Sequence, residues 1–412
     1  MYKRFLEAQV TEALSDTPAI LIVGARQTGK STFCRQLIDQ KAFNGRMVTM
    51  DDPSNFEAAK DDPMGYLKRL GRHFIIDEVQ RVPELFLSIK KMIDDDRKGT
   101  RIILTGSADV MTLPKVADSL AGRIEMNHLW PLSQDELLGK RSRFLETLTS
   151  KATRFVNERC DPVRMAAKLQ TGGYPEALAR RSDERQVKWF ASYLTAILQK
   201  DISELSRIEG ISQIPNILHL LATRVGSTIN LADVARLSKV KHTTLQRYMT
   251  LLEQVFLIVS LPAWTPNQEG RFVKSPKIML NDTGLLRYLS GEEVDPVANR
   301  THLGAILENF VVMEVIKQLS WHRELLTPYH FSIHQGQEVD LVLVSRSRKL
   351  YGIEVKNNAS VKSSDFNGLR KLAELAGDRF EKGIVLYMGE EFLGGFGRGD
   401  LFAVPMSNLW KA

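Results

Sequence analysis

The chain has little cysteine, no long apolar run and no repeated or low-complexity segment. Its 2 cysteines, Cys34 and Cys160, in 412 residues are too few for a disulfide framework or a cysteine-built zinc site, and two lone thiols suit a reducing compartment. No stretch approaches the roughly 18 to 20 apolar residues needed to cross a bilayer. The opening Met1-Tyr2-Lys3-Arg4 followed by Glu7 lacks the apolar core of a signal peptide. The expectation is a cytoplasmic protein with no membrane partner. With 43% hydrophobic and 25% charged residues, the composition excludes disorder as the main state and allows two or three packed domains. The positive excess is small, 56 Lys plus Arg against 49 Asp plus Glu for a net +7. It tolerates a nucleic-acid partner without demanding one.

What is present changes character along the chain. Up to about residue 140, short β-branched runs (Ala19 to Val23, Met47 to Met50, Phe74 to Ile76, Ile102 to Leu104) alternate with amphipathic stretches such as Thr32 to Ile38. That is the rhythm of a parallel sheet wrapped by helices. From Phe144 to Ser206 apolar residues recur at spacings of three and four, as in Val187, Phe190, Tyr193, Leu194 and Ile197, which predicts helices around a Gly172-Gly173-Tyr174-Pro175 break. Ile211 to Pro262 reads as three short helices and a β-rich tail from Phe256 to Leu261. A second α/β unit follows: helix Leu303 to Leu319, strands Glu338 to Val344 and Leu350 to Val355, helix Phe366 to Leu375, and strand Gly383 to Leu386.

Gly24-Ala25-Arg26-Gln27-Thr28-Gly29-Lys30-Ser31 matches G-x-x-x-x-G-K-[ST], after an apolar strand and before a helical pattern, the context that the motif needs. Its glycines let backbone N–H groups turn toward phosphate oxygens at the positive end of the following helix, which Thr32 continues. Lys30 is expected to reach the β and γ phosphates of ATP, and the Ser31 hydroxyl to hold Mg²⁺. Hydrolysis also requires a second metal-holding acid and a group that aligns water. Phe74-Ile75-Ile76-Asp77-Glu78 offers Asp77 for Mg²⁺ and Glu78 as the base. The plain alternative is a solvated acidic turn. Thr105-Gly106-Ser107, ending the next core strand, supplies hydroxyls that can sense the γ-phosphate.

Together with Val79-Gln80, Ser119-Leu120-Ala121-Gly122-Arg123 and Pro131-Leu132-Ser133, these motifs resemble a bacterial and archaeal branch of the AAA+ ATPases with a C-terminal domain of unassigned function. Gly172-Gly173-Tyr174-Pro175-Glu176, Asp201-Ile202 and Asn281-Asp282-Thr283-Gly284 look like further landmarks of that branch. The resemblance implies an ATP-binding, Mg²⁺-dependent core and a homo-oligomer. It also implies an arginine that completes a neighbour's site; Arg123 is the candidate, with an intrachain salt bridge as its alternative. Asp51 and Asp52 face the same region by analogy, or only cap a turn before Pro53.

Leu231 to Ser238 followed by His242 to Gln254 has helix-turn-helix spacing, and Val255 to Leu261 offers a wing. Arg224, Arg236, Lys239, Lys241 and Arg247 against Asp233 and Glu253 leave a local positive surplus. Lys241, His242, Thr243, Thr244, Gln246 and Arg247 would meet DNA or RNA phosphates and base edges; the alternative is a winged fold that only packs domains.

Farther on, Asp340 in Glu338-Val339-Asp340 and Glu354-Val355-Lys356 place an aspartate on one strand and E-x-K on the next, with Glu354 and Lys356 on one face. With Glu308 they form a candidate Mg²⁺ set, similar to the restriction-endonuclease-like D…E-x-K superfamily, although no proline precedes the aspartate. An inactive nuclease fold and a simple cross-strand pair are the competing readings. The expected fold class is thus α/β: a P-loop NTPase parallel-sheet core (1–140), a helical lid or linker (141–210), a winged-helix-like domain (211–300) and a restriction-endonuclease-like domain (301–412). The expected activity is ATP hydrolysis coupled to a nucleic-acid-directed module, or an ATP-dependent switch that binds a protein partner through an inactive nuclease-like domain.

Overall fold

A computed structural model describes residues 2–107, 120–152, 154–202, 211–266, 275–291, 300–333, 336–397 and 399–411. The first apolar runs form a five-stranded parallel sheet in the order β2-β3-β4-β1-β5, with β1 Ala19–Val23, β2 Arg46–Thr49, β3 His73–Asp77, β4 Arg101–Gly106 and β5 Ile124–His128. All five residues of β1 are buried, because the sheet is covered on both faces. Their two-residue alternation divides them. Ile20 and Ile22 pack with Leu6, Val10, Phe33 and Leu37, from the helices Glu7–Ala13 and Lys30–Asp39 and the turn before the first. Leu21 and Val23 pack on the other side with Tyr66, Leu67, Phe86 and Ile89. Parallel strands bring every strand's carboxyl end to one edge, so the loops after β1, β2, β3 and β4 share a single rim.

Helices Pro162–Thr171, Pro175–Leu178 and Asp183–Ala196 follow, and the last runs into a π-helical turn, Ile197–Ile202. The expected three short helices are Ile214–Ala222, Leu231–Ser238 and His242–Gln254, succeeded by β6 Ile258–Leu261 paired antiparallel with β7 Lys277–Leu280. An isolated bridge joins Thr228 to Lys277. The helix expected from Leu303 spans Arg300–Leu319. Its residues from Phe310 to Ile316 are all buried, as befits a helix that is apolar around its circumference.

The second sheet has six strands in the order β12-β13-β11-β10-β9-β8: β8 Leu326–Ser332, β9 Glu338–Ser345, β10 Leu350–Lys356, β11 Phe380–Tyr387, β12 Leu393–Phe396 and β13 Leu401–Pro405. β9, β10 and β11 lie on the runs expected from the sequence, and helix Asn367–Ala376 falls one residue beyond its expected span. One cluster of buried apolar side chains runs continuously from Leu21 through Leu169, Leu218, Leu280 and Phe310 to Leu386. Among the described residues no helix is long and apolar enough to cross a membrane.

Candidate nucleotide site and the acidic cluster of the second sheet

The loop Gly24–Ser31 leaves β1 at the shared rim and ends in the helix that Lys30 begins. Gly24 has no room for a side chain, since a Cβ there would lie 2.3 Å from the Leu129 carbonyl oxygen. Gly29 turns the chain into the helix with φ of 98°, where glycine carries no steric penalty. Ala25 and Thr28 are buried, Arg26 is half-buried, and Gln27 and Thr32 are exposed. Lys30 Nζ donates to the carbonyls of Gly24 at 2.8 Å and Ala25 at 3.0 Å, the cradle into which a phosphate must fit. Burial holds the Lys30 ammonium below its ordinary pKa.

Asp77 and Glu78 stand at the end of β3, next to this loop. Ser31 Oγ donates to Asp77 Oδ2 at 2.8 Å, and Thr105 Oγ1 donates to Asp77 Oδ1 at 2.5 Å. Burial pushes the Asp77 carboxyl up, against the two hydroxyl hydrogen bonds. Glu78 adopts the left-handed backbone region, φ 57°. Its carboxylate accepts from Gln80 Nε2 at 2.5 Å and from Ser107 Oγ at 3.2 Å, while its N–H donates to Thr105 Oγ1 at 3.2 Å. Lys30, Ser31, Asp77, Glu78, Thr105 and Ser107 therefore lie in one connected group. A hydroxyl and a carboxylate oxygen 2.8 Å apart fit Mg²⁺, which takes one or two protein oxygens alongside phosphate and water.

The remaining rim residues divide between structural and adjacent roles. Asp52 caps the helix Pro53–Asp61 by accepting from the N–H groups of Ser54 and Asn55. Asp51 accepts from Arg81 at 2.7 Å and lies 3.6 Å from Lys200. Arg123 is engaged within its own chain: Nε and Nη2 donate to Asp94 at 2.7 and 3.0 Å. It precedes Ile124, which is in register with Ala19 at the start of β1. That places it about 16 Å along the strands from the loop after Val23, on the opposite rim. Ser119 lies outside the described residues.

Two residues that hold the loop were not among the expected site residues. Arg4 is buried and donates to Glu136 Oε1 at 2.9 Å, to the Thr28 carbonyl at 3.0 Å and to the Trp130 carbonyl at 2.6 Å. Glu136 also closes a capping box with Ser133 on the helix Gln134–Leu138. Asp201, known from the sequence only as a landmark, binds the Arg26 guanidinium through both of its oxygens.

Around the second sheet, the structure brings the D…E-x-K set together and adds a residue that sequence reasoning did not include. Lys277, at the start of β7 and fully buried, directs its ammonium between Glu308 Oε1 at 2.8 Å, Asp340 Oδ1 at 3.2 Å and Glu338 Oε2 at 3.5 Å. Asp340 Oδ2 accepts from the Val355 N–H at 2.9 Å. Glu354 Oε1 accepts from Lys356 Nζ at 2.6 Å, whereas buried Glu354 Oε2 meets no donor among the described residues. Burial and the charge of Asp340 push the Glu354 carboxyl up to about 8, and the same two causes raise Glu308. Burial works against the Lys277 ammonium, but Asp340 and Glu308 outweigh it and raise its pKa. Among the described residues no group of three or more His, Cys, Asp or Glu side chains is arranged to hold a metal ion. Lys277 fills the position between Glu308 and Asp340, within the expected Mg²⁺ set, with the chain's own cation.

The stretch 231–254 presents the expected face. Lys241, His242, Thr243, Gln246 and Arg247 are exposed and Thr244 is half-buried at the start of the helix His242–Gln254, whose other side is buried through Leu245, Tyr248 and Leu252.

Comparison with known proteins gives three family matches along the chain: an AAA domain over residues 16–138, a domain of unknown function (DUF8612) over 165–295, and a second domain of unknown function (DUF4143) over 303–409. Uncharacterized proteins of Mycobacterium bovis (Mb2031c) and Mycobacterium tuberculosis (Rv2008c) are each 31% identical over 363 residues, covering 87% of this chain and 74% of theirs. An uncharacterized protein of Methanocaldococcus jannaschii (MJ1544) is 22% identical over 390 residues, covering 90% of this chain and 82% of its own. Among solved structures, the RuvB Holliday junction branch migration motor of Thermotoga maritima covers 62% of this chain and 89% of its own at 20% identity, with a TM-score of 0.30, too slight a likeness to argue from.

Proposed function

The chain belongs to the family of those uncharacterized mycobacterial proteins, with an AAA domain at its front, and from that premise we propose that it binds and hydrolyses ATP with Mg²⁺. The observation that carries the reading is the hydrogen bond of 2.8 Å between Ser31 and Asp77. It joins the phosphate loop to the acidic strand end where nucleotide, metal and water must meet. Loop N–H groups and Lys30 bind the β and γ phosphates. Ser31 and Asp77 hold Mg²⁺, which when bound neutralises charge on the transferring phosphate. Glu78 leaves Gln80 and Ser107 to accept a proton from the attacking water, and Thr105 keeps Asp77 in place.

We further propose that the nucleotide state is delivered to the helix-turn-helix segment and the second sheet, and that the protein acts on or with nucleic acid as a homo-oligomer. Support comes from the exposed Lys241, His242, Gln246 and Arg247 face and from the continuous apolar cluster that joins the sheets. The test is phosphate release with single-stranded DNA, duplex DNA or RNA present. Stimulation that weakens steeply with salt is expected; hydrolysis indifferent to all three overturns it.

The Lys277 ammonium favours a second reading of the C-terminal region: a nuclease-like fold that cuts nothing and binds a protein partner, so that the whole molecule is an ATP-driven switch. Under this reading wild-type protein with Mg²⁺ leaves DNA and RNA intact. Cleavage that disappears in Glu354→Ala and in Lys356→Ala would reject it and restore the metal-dependent nuclease.

A further inference from the structure

Three landmark motifs with no role in the reading above converge on one residue of the phosphate loop, Arg26. Its side chain is gripped by Asp201, which lies in the π-helical turn after Asp183–Ala196: Nε donates to Oδ2 at 3.0 Å and Nη2 donates to Oδ1 at 2.9 Å. The Asp201 side chain is 4% exposed against 22% for Arg26. The carboxylate is thus fixed in the interior while the guanidinium reaches the rim. A buried carboxylate is costly unless paired, so Asp201 keeps Arg26 in this orientation. Arg26 senses the charges of Glu78 and Asp51 across the site; burial works to lower its pKa, but Asp201 raises it, so it stays cationic. Nε and one N–H of Nη2 are committed to Asp201, and among the described residues Nη1 makes no hydrogen bond, so it is a donor for a ligand.

The main chain of Arg26 is held independently. Tyr193 Oη donates to the Arg26 carbonyl at 3.2 Å. The Tyr174 and Tyr193 hydroxyls are 2.8 Å apart, and Asn281 Nδ2 donates to Tyr174 Oη at 2.8 Å. One direction of donation accounts for all of these bonds: Asn281 to Tyr174, Tyr174 to Tyr193, Tyr193 to Arg26. Asn281 Nδ2 also donates to the Phe256 carbonyl at 2.6 Å, just before β6. The neighbouring Asp282 accepts from the Gly173 N–H at 2.6 Å. Gly172 must be glycine, because a Cβ there would lie 2.1 Å from Asp282 Oδ1 and its φ is 66°. Gly172-Gly173-Tyr174, Asp201 and Asn281-Asp282 are therefore one buried polar scaffold that ends on the phosphate loop.

We propose that Arg26 donates through Nη1 to the triphosphate of ATP, and that Asp201 and Tyr193 are positioning residues that present it. This rests on the ATPase reading and adds a phosphate-recognising arginine from the same chain. An arginine aimed at charge that grows in the transition state acts on turnover more than on ground-state binding. Removing its orienting carboxylate should therefore separate kcat from KM.

The experiment measures steady-state ATP hydrolysis, together with equilibrium binding of ATP and ADP, for wild type, Arg26→Ala, Asp201→Asn, Tyr193→Phe and Asp201→Glu. Asp201→Asn is expected to lower kcat by tenfold or more with KM changed less than threefold, ADP affinity unchanged, and part of the loss restored in Asp201→Glu. Tyr193→Phe should shift kcat in the same direction by less. Arg26→Ala should lower kcat at least as much as Asp201→Asn, with ADP affinity unchanged. Equal losses of ATP and ADP binding in Asp201→Asn, or a kcat equal to wild type, overturn the proposal while leaving the ATPase reading intact. Should Asp201→Asn fail to fold, the kcat of Arg26→Ala decides: a value equal to wild type overturns the proposal. A wild type that neither binds nor hydrolyses ATP overturns both.

Discussion

At the residue scale, short patterned signals told most of what the site contains. Gly24 to Ser31, Asp77, Glu78, Thr105 and Ser107 were legible because each follows an apolar strand, and parallel strands bring such ends to one rim. Arg4 and Lys277 were not legible, since their partners are 132 residues away for Arg4 and 31 and 63 away for Lys277, and no local pattern marks a distant pair. Asp135 shows the same limit. It is fully buried: Ser142 donates to its Oδ2 through N–H and Oγ, and its Oδ1 has no donor among the described residues. Burial pushes its carboxyl up to about 7, against about 3.9 in an unfolded chain. Between those values the folded state holds a proton that the unfolded state has released, so stability is fully present below the unfolded value and falls as pH rises toward 7. Urea unfolding at pH 5 and pH 7.5 should show wild type losing stability, at up to about 1.4 kcal/mol per pH unit from this group, and Asp135→Asn losing distinctly less. Equal losses in the two proteins would contradict this assignment.

At the element scale, most central strands were readable, β13 excepted, and of the four edge strands of the two large sheets only β2 was. β8 carries Pro328 and His330 and lies at one edge of its sheet, where a missing N–H is tolerated. β12 carries Gly394-Gly395 and lies at the other edge. Neither has the apolar run by which β9 and β10 were expected. β5 was missed for a similar reason, as an edge strand with Glu125 and Met126 exposed. The phosphate loop depends on an element outside its motif, the segment before Glu7–Ala13, through Arg4. Breaking the buried Arg4–Glu136 pair by removing one partner costs about 3–5 kcal/mol. Arg4→Met should therefore lower the denaturant midpoint and weaken ATP binding together, because Thr28 and Trp130 lose their shared donor. Loss of stability with ATP affinity unchanged would show that Arg4 does not shape the loop.

At the scale of the whole molecule, the placement of Arg123 sets the question of assembly. It is paired to Asp94 on the rim opposite its own phosphate loop, so any role in hydrolysis requires a second copy that brings this rim to the first copy's nucleotide. Arg123→Ala should then keep nucleotide affinity but slow turnover. Mixing it with Glu78→Gln should restore part of the activity, since one kind of interface joins an intact Glu78 to an intact Arg123. No recovery on mixing would leave Arg123 as a structural ion pair with Asp94. The sequence could not choose between these, because the intrachain partner and the distance to the loop both depend on strand register.

All of these scales rest on the rim around Ser31 and Asp77 being a site of ATP hydrolysis. The most direct measurement follows ATP binding and phosphate release in parallel for wild type, Lys30→Ala and Glu78→Gln with Mg²⁺ present. The account predicts binding and turnover in wild type, loss of binding in Lys30→Ala, and ATP held without release of phosphate in Glu78→Gln. Undiminished turnover in Glu78→Gln, or undiminished binding in Lys30→Ala, would contradict it.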